Sequence, residues 1–426
     1  MDILKKQLFV YFSLFIFSCS STPISRFNSI NVPEDIFGIV HAGKTNSQEE
    51  YLLLDELGAK WILNTFSWRN IEKEKGKFDF SMYDEYVDTA KKAGKKIVAV
   101  LGFEAPWIFP DGNSKKFISP ENYHHYLNYV EETVRHYKGR IDVWEIWNEP
   151  NILRFWKGSK KVFFELSRLT ALKIKEIDPD AHVIGGAFSL APRGFIKKMH
   201  KAGALDDLDG IAFHPYGLNP AFSMRTYDKF LDILSEINYS QPVWITEVGF
   251  PTGGWYPTKV SLDGLPSHVI KTISGAAARG ARVLLWYEMF DSYKEGDLAS
   301  DSEKYFGLAY SDFRRKEGAW AYELCATFLP GARYEKDYPI KENIPKGIIV
   351  MCFLEGHSGN NTLILWNDKI CTQKIDLYLP APAFIYNIST GEKKPLEEKT
   401  RLDINKTPLF ITWQEEIIPQ LSTAIK

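Results

Sequence analysis

The chain has 426 residues, enough for one large domain and a small one, and its 45% hydrophobic and 25% charged content is that of a globular protein with a sizeable core. A formal net charge of -2, from 52 basic and 54 acidic residues, gives no footing for nucleic acid or for a broadly basic surface. Aromatic residues are abundant at 14%; most of them serve a core, and flat rings also suit the C–H faces of sugars where they line a cleft.

The N-terminus reads as a processing segment. Lys5 and Lys6 precede an apolar run, Leu8–Phe17, the charged and apolar regions of a secretory signal. The run is too short to span a bilayer comfortably. It closes on Ile16-Phe17-Ser18-Cys19-Ser20-Ser21. A cysteine after a small residue at that place resembles the lipobox of bacterial lipoproteins, in a relaxed form because Phe17 is bulky. The resemblance implies cleavage before Cys19 and a lipid on its sulfur. The protein would then be an exported lipoprotein, periplasmic or at the cell surface, meeting a membrane only through its anchor. A plain secretory signal cut near Ser20 or Ser21 is the other reading. Residues 1–19 are thus expected to be a signal segment and 20–33 a tether.

From Phe37 one unit recurs: a short apolar run, a polar corner, an amphipathic helix. Phe37–Val40 is followed by His41, and Ser47 with Glu50 three residues on is a capping box opening a helix to about Leu57. The second run is 60–65. Ser81 then opens a helix over 82–93, with Tyr83, Tyr86, Val87 and Ala90 on one face and Gly94 as its stop. Ile97–Leu101 lacks alternation, as a strand buried on both faces does. Ser119-Pro120 starts a helix carrying Tyr123, Tyr126, Leu127, Val130 and Val134 at helical spacing. The fourth run begins at Trp144, and a helix over about 161–177 follows, closed before Pro179. Runs five to eight begin at His182, Gly210, Val243 and Val283, and a helix over about 316–328 closes the series. The repetition predicts an α/β fold, a parallel (β/α)8 TIM barrel over residues 34–328. A doubly wound open sheet would want a Gly-rich phosphate turn after an early strand, and no GxGxxG is present.

After Pro330 the texture changes to short apolar runs at 347–353, 362–366, 375–379 and 409–412, separated by polar turns such as Gly359-Asn360-Asn361. Residues 329–426 are expected to form a small antiparallel β-sandwich. Besides Cys19 the chain holds Cys325, Cys352 and Cys371, with no CxxC pair and no His/Cys cluster, so neither a metal nor a cofactor is expected. Cys352 and Cys371 lie in predicted strands; they either pair in an oxidising compartment or remain buried free thiols.

In a barrel of this kind the active site is built at the C-terminal ends of the strands. That filter leaves His41, Asn64, Trp68, Glu104, Trp107, Asn148, Glu149, His214, Tyr216, Glu247, Trp286 and Asp291. Cleaving a glycosidic bond needs two carboxyl groups, one protonated to release the leaving oxygen and one ionised to attack or to activate water. Burial and like-charge repulsion push their pKa values apart. Glu149 and Glu247, at the ends of strands four and seven, are the pair so placed.

Trp147-Asn148-Glu149-Pro150 and Ile245-Thr246-Glu247 resemble the two signatures of clan A glycoside hydrolases. The resemblance implies that Glu149 is the acid/base, that Asn148 contacts the sugar 2-hydroxyl and that Glu247 is the nucleophile. His214-Pro215-Tyr216 resembles the clan's segment that contacts sugar and nucleophile, and Trp286 resembles its stacking platform. His41 and Trp107 join them as candidate substrate contacts. With its trailing β-sandwich the chain is most similar to family 39 and exopolysaccharide-active relatives, family 5 endoglycanases coming next. The resemblance implies a retaining O-glycosyl hydrolase of oligo- or polysaccharides that works through a covalent glycosyl-enzyme, and the protein is expected to be a monomer.

One residue departs from the clan pattern. Members often carry an arginine in strand 2 where this chain has Leu63, and Asn64 or Arg69 are the candidates to stand in for it. Glu145, deeper in strand four, reads as a structural carboxylate paired inside the barrel. His41 either lines the cleft or makes a capping hydrogen bond, Glu104 and Trp107 either line the cleft or belong to a surface loop, and Asp291 is a candidate helix cap. A competing function is a non-catalytic glycan-binding surface lipoprotein on a retired barrel; a lost carboxylate would be its mark, and both are present. A metal-dependent barrel hydrolase lacks the expected HxH pair.

Overall fold

The computed structural model describes residues 27–109, 115–255, 259–294, 298–336, 346–369, 371–379, 382–414 and 420–423. The expected signal segment, Cys19 and most of the tether lie outside the described residues. The end of the tether departs from expectation. It forms a strand, β1 (Ser29–Asn31).

Eight apolar runs then pair in parallel and close on themselves. They are β2 (Phe37–Val40), β3 (Trp61–Ser67), β4 (Lys96–Gly102), β5 (Val143–Ile146), β6 (His182–Ser189), β7 (Gly210–His214), β8 (Val243–Val248) and β9 (Ala281–Trp286). Each is followed by a helix, in order Gln48–Glu56, Ser81–Lys92, Tyr123–His136, Lys160–Ile177, Arg193–Lys201, Pro220–Glu236, Leu265–Ala277 and Glu317–Phe328. This is the (β/α)8 barrel the sequence predicts.

Alternation along the strands divides the core. Inward positions, among them Val40, Leu63, Val98, Val143, Ala212 and Val283, fill the barrel with apolar side chains, so it is a packed core and not a pore. Trp61 and Trp244 meet edge-on there, ring centroids 5.3 Å apart. Outward positions pack against the helices. Gly38 is required in β2 because a Cβ would sit 2.3 Å from Leu285 Cδ2. The capping box is half realised. Ser47 Oγ accepts from Glu50 N–H at 3.2 Å, but the Glu50 carboxylate turns to the loop before the helix, where it accepts from the N–H groups of Gly43 and Thr45.

The rest of the chain forms two antiparallel sheets from β10 (Arg333–Glu335), β11 (Ile348–Leu354), β12 (Asn361–Asn367), β13 (Gln373–Tyr378), β14 (Ala383–Tyr386), β15 (Lys393–Leu396), β16 (Lys399–Ile404), β17 (Leu409–Trp413) and β18 (Gln420–Thr423). One sheet runs β1-β10-β11-β12-β17-β14-β15 and the other β16-β13-β18. The larger sheet is covered on both faces. Ile349, Met351 and Phe353 of β11, with Ile364 and Trp366 of β12, belong to the same core as the barrel helices. Their neighbours Ile348, Val350, Cys352, Leu363 and Leu365 pack against Ile375, Leu377 and Ile404 of the smaller sheet. That double covering is why these strands read as unbroken apolar runs. Cys352 is a buried free thiol as one reading expected, but Cys371 is exposed and free, so the two do not pair.

Candidate active site

The corner after β5 is held by the strands on either side of it. Trp147 N–H donates to Leu101 O and Glu149 N–H to Ala187 O, both at 3.0 Å. Asn151 grips Ser189, accepting from its N–H at 2.9 Å and donating to its carbonyl at 3.0 Å. Between these clamps Trp147 and Glu149 take φ values of 65° and 40°, left-handed conformations that bulky side chains rarely adopt. The Trp147 ring is buried against Phe103, Tyr126 and Trp156. The result is a rigid turn that aims Glu149 over the barrel mouth, with Asn148 half-buried beside it.

Inward positions on β5, β7 and β8 supply the floor. Val143, Ala212 and Trp244 belong to the apolar filling. Two residues further along each strand, on the same face, come Glu145, His214 and Thr246, all buried. His214 Nδ1 lies 3.1 Å from Glu149 Oε1 and 3.7 Å from Glu247 Oε2. These two legs cap the separation of the carboxylate oxygens near the foot of the inverting range, about 6.5–9.5 Å, and leave the retaining separation of about 5–5.5 Å open. His214 Nε2 meets Thr246 Oγ1 at 3.1 Å, and the Thr246 hydroxyl donates to Glu145 Oε1 at 2.8 Å. The Tyr216 hydroxyl donates to Glu247 Oε2 at 3.2 Å.

Electrostatics follow from this crowding. Burial works against a charged His214, but Glu247, Glu149 and Glu145 together push its pKa up to about 9, so the ring is an imidazolium at neutral pH. Burial raises Glu145 to about 7 against the pull of His214 and Thr246. Glu247 is raised by burial and by the charge of Glu149, while His214, His41 and the Tyr216 hydroxyl pull it down.

The other candidates divide. His41 sits at the mouth, part-exposed, with Nδ1 2.7 Å from Glu288 Oε2 and its ring edge-on to Tyr287. Trp286 does not face the cleft. It is fully buried, its ring tilted against Phe250, because the alternation of β9 sends Leu285 inward and Trp286 toward the helices. Tyr287 takes the inward place instead, packed against His41, Tyr216 and Phe306. Trp107 lies in the wall beyond β4, against Trp68, His125 and Lys75, donating its indole N–H to Glu72 O. It is not brought to the carboxylate pair. Glu104 is buried, with the half-exposed Arg69 3.9 Å away. Leu63 belongs to the barrel filling, so no cation stands there. Asp291 is no helix cap; it holds the buried Lys316 at 2.6 Å.

Glu288, Tyr287 and Thr246 escaped the sequence reading. Glu288 had a signal, a carboxylate directly after the eighth apolar run. Thr246 had none, since threonine is an ordinary strand residue. Among the described residues no group of three or more His, Cys, Asp or Glu is placed to hold a metal ion.

Residues 44–229 match the family described as glycosyl hydrolases family 39. A beta-xylosidase of Caldicellulosiruptor saccharolyticus is 28% identical over 195 residues, 40% of this chain and 39% of its own length. The chain thus spans about two fifths of that relative. Among solved structures, a family 39 glycoside hydrolase from the gut symbiont Bacteroides cellulosilyticus superposes with a TM-score of 0.73 at 23% identity, covering 89% of this chain and 81% of that one. A monomeric beta-xylosidase from Caulobacter crescentus superposes at 0.63 with 16% identity, covering 94% and 99%. In its barrel, its C-terminal β sheets and the matched segment, the chain resembles the family 39 glycoside hydrolases.

Proposed function

We propose that the protein hydrolyses O-glycosidic bonds of an oligo- or polysaccharide with retention of anomeric configuration. The observation that carries the reading is the single nitrogen, His214 Nδ1, set between Glu149 and Glu247 at the ends of the fourth and seventh barrel strands. Glu247 attacks the anomeric carbon as the Glu149 proton passes to the departing oxygen, breaking the C–O bond and leaving a glycosyl ester on Glu247. Glu149, now ionised, takes a proton from water, the hydroxyl displaces Glu247, and the sugar leaves. The protonation states support each other. When Glu149 holds its proton, the charge that raises Glu247 is gone, and His214, His41 and Tyr216 favour the ionised nucleophile.

Asn148, half-buried beside Glu149, is the proposed partner of the sugar 2-hydroxyl, and Tyr287 takes the stacking role. The matched relatives make β-linked xylosides the first substrates to assay. The test is hydrolysis over a panel of aryl glycosides and polysaccharides, with product configuration read by NMR. Glu247→Ala and Glu149→Gln are expected to lose activity by at least about 10²–10⁴-fold. Unchanged hydrolysis by Glu247→Ala, or an inverted product, refutes the mechanism.

We further propose that the protein is exported, works as a monomer and is held by a lipid on Cys19, supported by Lys5, Lys6 and the apolar run before that cysteine. Radiolabelled palmitate should enter the wild type and not Cys19→Ser.

A further inference from the structure

Above the apolar filling of the barrel sits a carboxylate that the proposed chemistry does not use. Glu145 is 1% exposed, at a position where an apolar side chain is the usual filler. A buried carboxylate is costly unless it is held by donors. The Thr246 hydroxyl donates to it at 2.8 Å.

The hydrogen-bond inventory then fixes a proton. Thr246 has one hydroxyl proton, and it is committed to Glu145. Its oxygen can therefore only accept from His214 Nε2, 3.1 Å away, so Nε2 must carry hydrogen. On the opposite side of the ring Nδ1 faces two acceptors, Glu149 at 3.1 Å and Glu247 at 3.7 Å, and meets them as a donor when it carries hydrogen too. With hydrogen on both nitrogens the ring makes all of these contacts as a donor and is positively charged.

We propose that Glu145 is a positioning residue: acting through the Thr246 hydroxyl, it keeps His214 doubly protonated, with Nδ1–H directed at Glu149 and Glu247 throughout the reaction. The inference rests on the assignment of Glu149 and Glu247 as the reacting pair and adds what holds their shared donor in place. The consequence is a division of protons. A neutral imidazole next to Glu149 would compete for the proton that Glu149 must deliver and take back; an imidazolium cannot. The groups facing His214 are Glu145 and Glu149 from β5 and its corner, Thr246 and Glu247 from β8, and Tyr216 just beyond β7; His41 faces Glu247 from the end of β2. Of the charged groups acting on His214, all three are acidic, and they hold its pKa up to about 9 although burial works against the charge.

The test needs no substrate. In protein labelled with ¹⁵N at histidine, the His214 ring is followed against pH, its signals assigned by their loss in His214→Asn. The wild type should titrate near pH 9. Glu145→Gln keeps the size and removes the charge, and Thr246→Val removes the hydroxyl. Each should lower the midpoint by about one pH unit or more, a tenfold weaker hold on the proton, while Thr246→Ser titrates as the wild type. The alkaline limb of kcat/KM should shift by the same amount. If Glu145 only fills space, its loss lowers Tm and leaves the midpoint where it was. An unmoved midpoint in Glu145→Gln overturns the proposal; should that variant fail to fold, Thr246→Val decides in the same way. If the wild type cleaves no glycan at all, the glycosidase reading fails, and the ring titration still reports on Glu145.

Discussion

Lys316 and Asp291 offer a sharp energetic test of how the loops around the cleft are held. The Lys316 side chain is 0% exposed and that of Asp291 10%. The ammonium has three protons and three acceptors: Asp291 Oδ1 at 2.6 Å, Thr252 Oγ1 at 2.9 Å and Tyr305 O at 3.3 Å. Thr252 lies just beyond β8 and Asp291 just beyond β9, so one side chain ties together the loops that follow Glu247 and Glu288. Replacing Lys316 with Met leaves Asp291 with the N–H of Gly307 and no countercharge. Breaking a buried pair on one side costs about 3–5 kcal/mol, because the remaining charge is uncompensated. In Asp291→Asn/Lys316→Met no buried charge is left, and most of that loss should return. Urea unfolding of the wild type, Lys316→Met, Asp291→Asn and the double variant, followed by tryptophan fluorescence, gives the four free energies. The reasoning is refuted if Lys316→Met falls within about 1 kcal/mol of wild type, or if the single costs simply add in the double variant.

Tyr216→Phe deletes the hydroxyl that donates to Glu247 and little else, so kcat/KM should fall about 10–100-fold, the worth of a hydrogen bond to a charged group, with Tm nearly unchanged. Gly249→Ala would place a Cβ 2.0 Å from Tyr287 O, displacing the backbone between Trp286 and Glu288; about 1–3 kcal/mol of stability and a larger share of activity should go, read by urea unfolding and kcat/KM. Stability should also decline with pH. Both His214, raised from 6.5 to about 9, and Glu145, raised from 4.5 to about 7, bind protons more tightly in the folded state. Their contributions are complete below the unfolded values and are lost as pH climbs through the folded ones, from about 4.5 to 9. Urea midpoints over that range should slope downward, less so in Glu145→Gln/His214→Asn, and a wild type that gains stability there contradicts the shifts.

The barrel was legible because its units repeat and because strands buried on both faces are short and apolar. The same property hid the phase of the strands. Val283-Leu284-Leu285-Trp286-Tyr287 has no charged residue to mark which side faces inward, so the run by itself points to Trp286 as the cleft residue, one position early. Strand four announces itself differently, since its apolar run ends in Asn148 and Glu149, residues with no packing purpose there. His41 and Glu288 meet across 247 positions of sequence, a pairing that no local pattern encodes. In the C-terminal region the apolar runs were recognisable as strands; that one face of the larger sheet lies on the barrel was not, because a buried strand looks the same whatever covers it.

That sheet has a mechanical meaning. β1 precedes the barrel and β10 follows it, yet the two pair side by side, Ser29 opposite Glu335 and Asn31 opposite Arg333. Both ends of the barrel are therefore sewn into one edge of the larger sheet. A pull on the chain upstream of residue 27 would load the β1–β10 ladder lengthwise, so that its hydrogen bonds share the force in shear rather than opening one at a time like a zipper. The load passes into the seven-stranded sheet on the flank of the barrel. Glu149, Glu247 and His214, on other strands at the open mouth, are shielded from it.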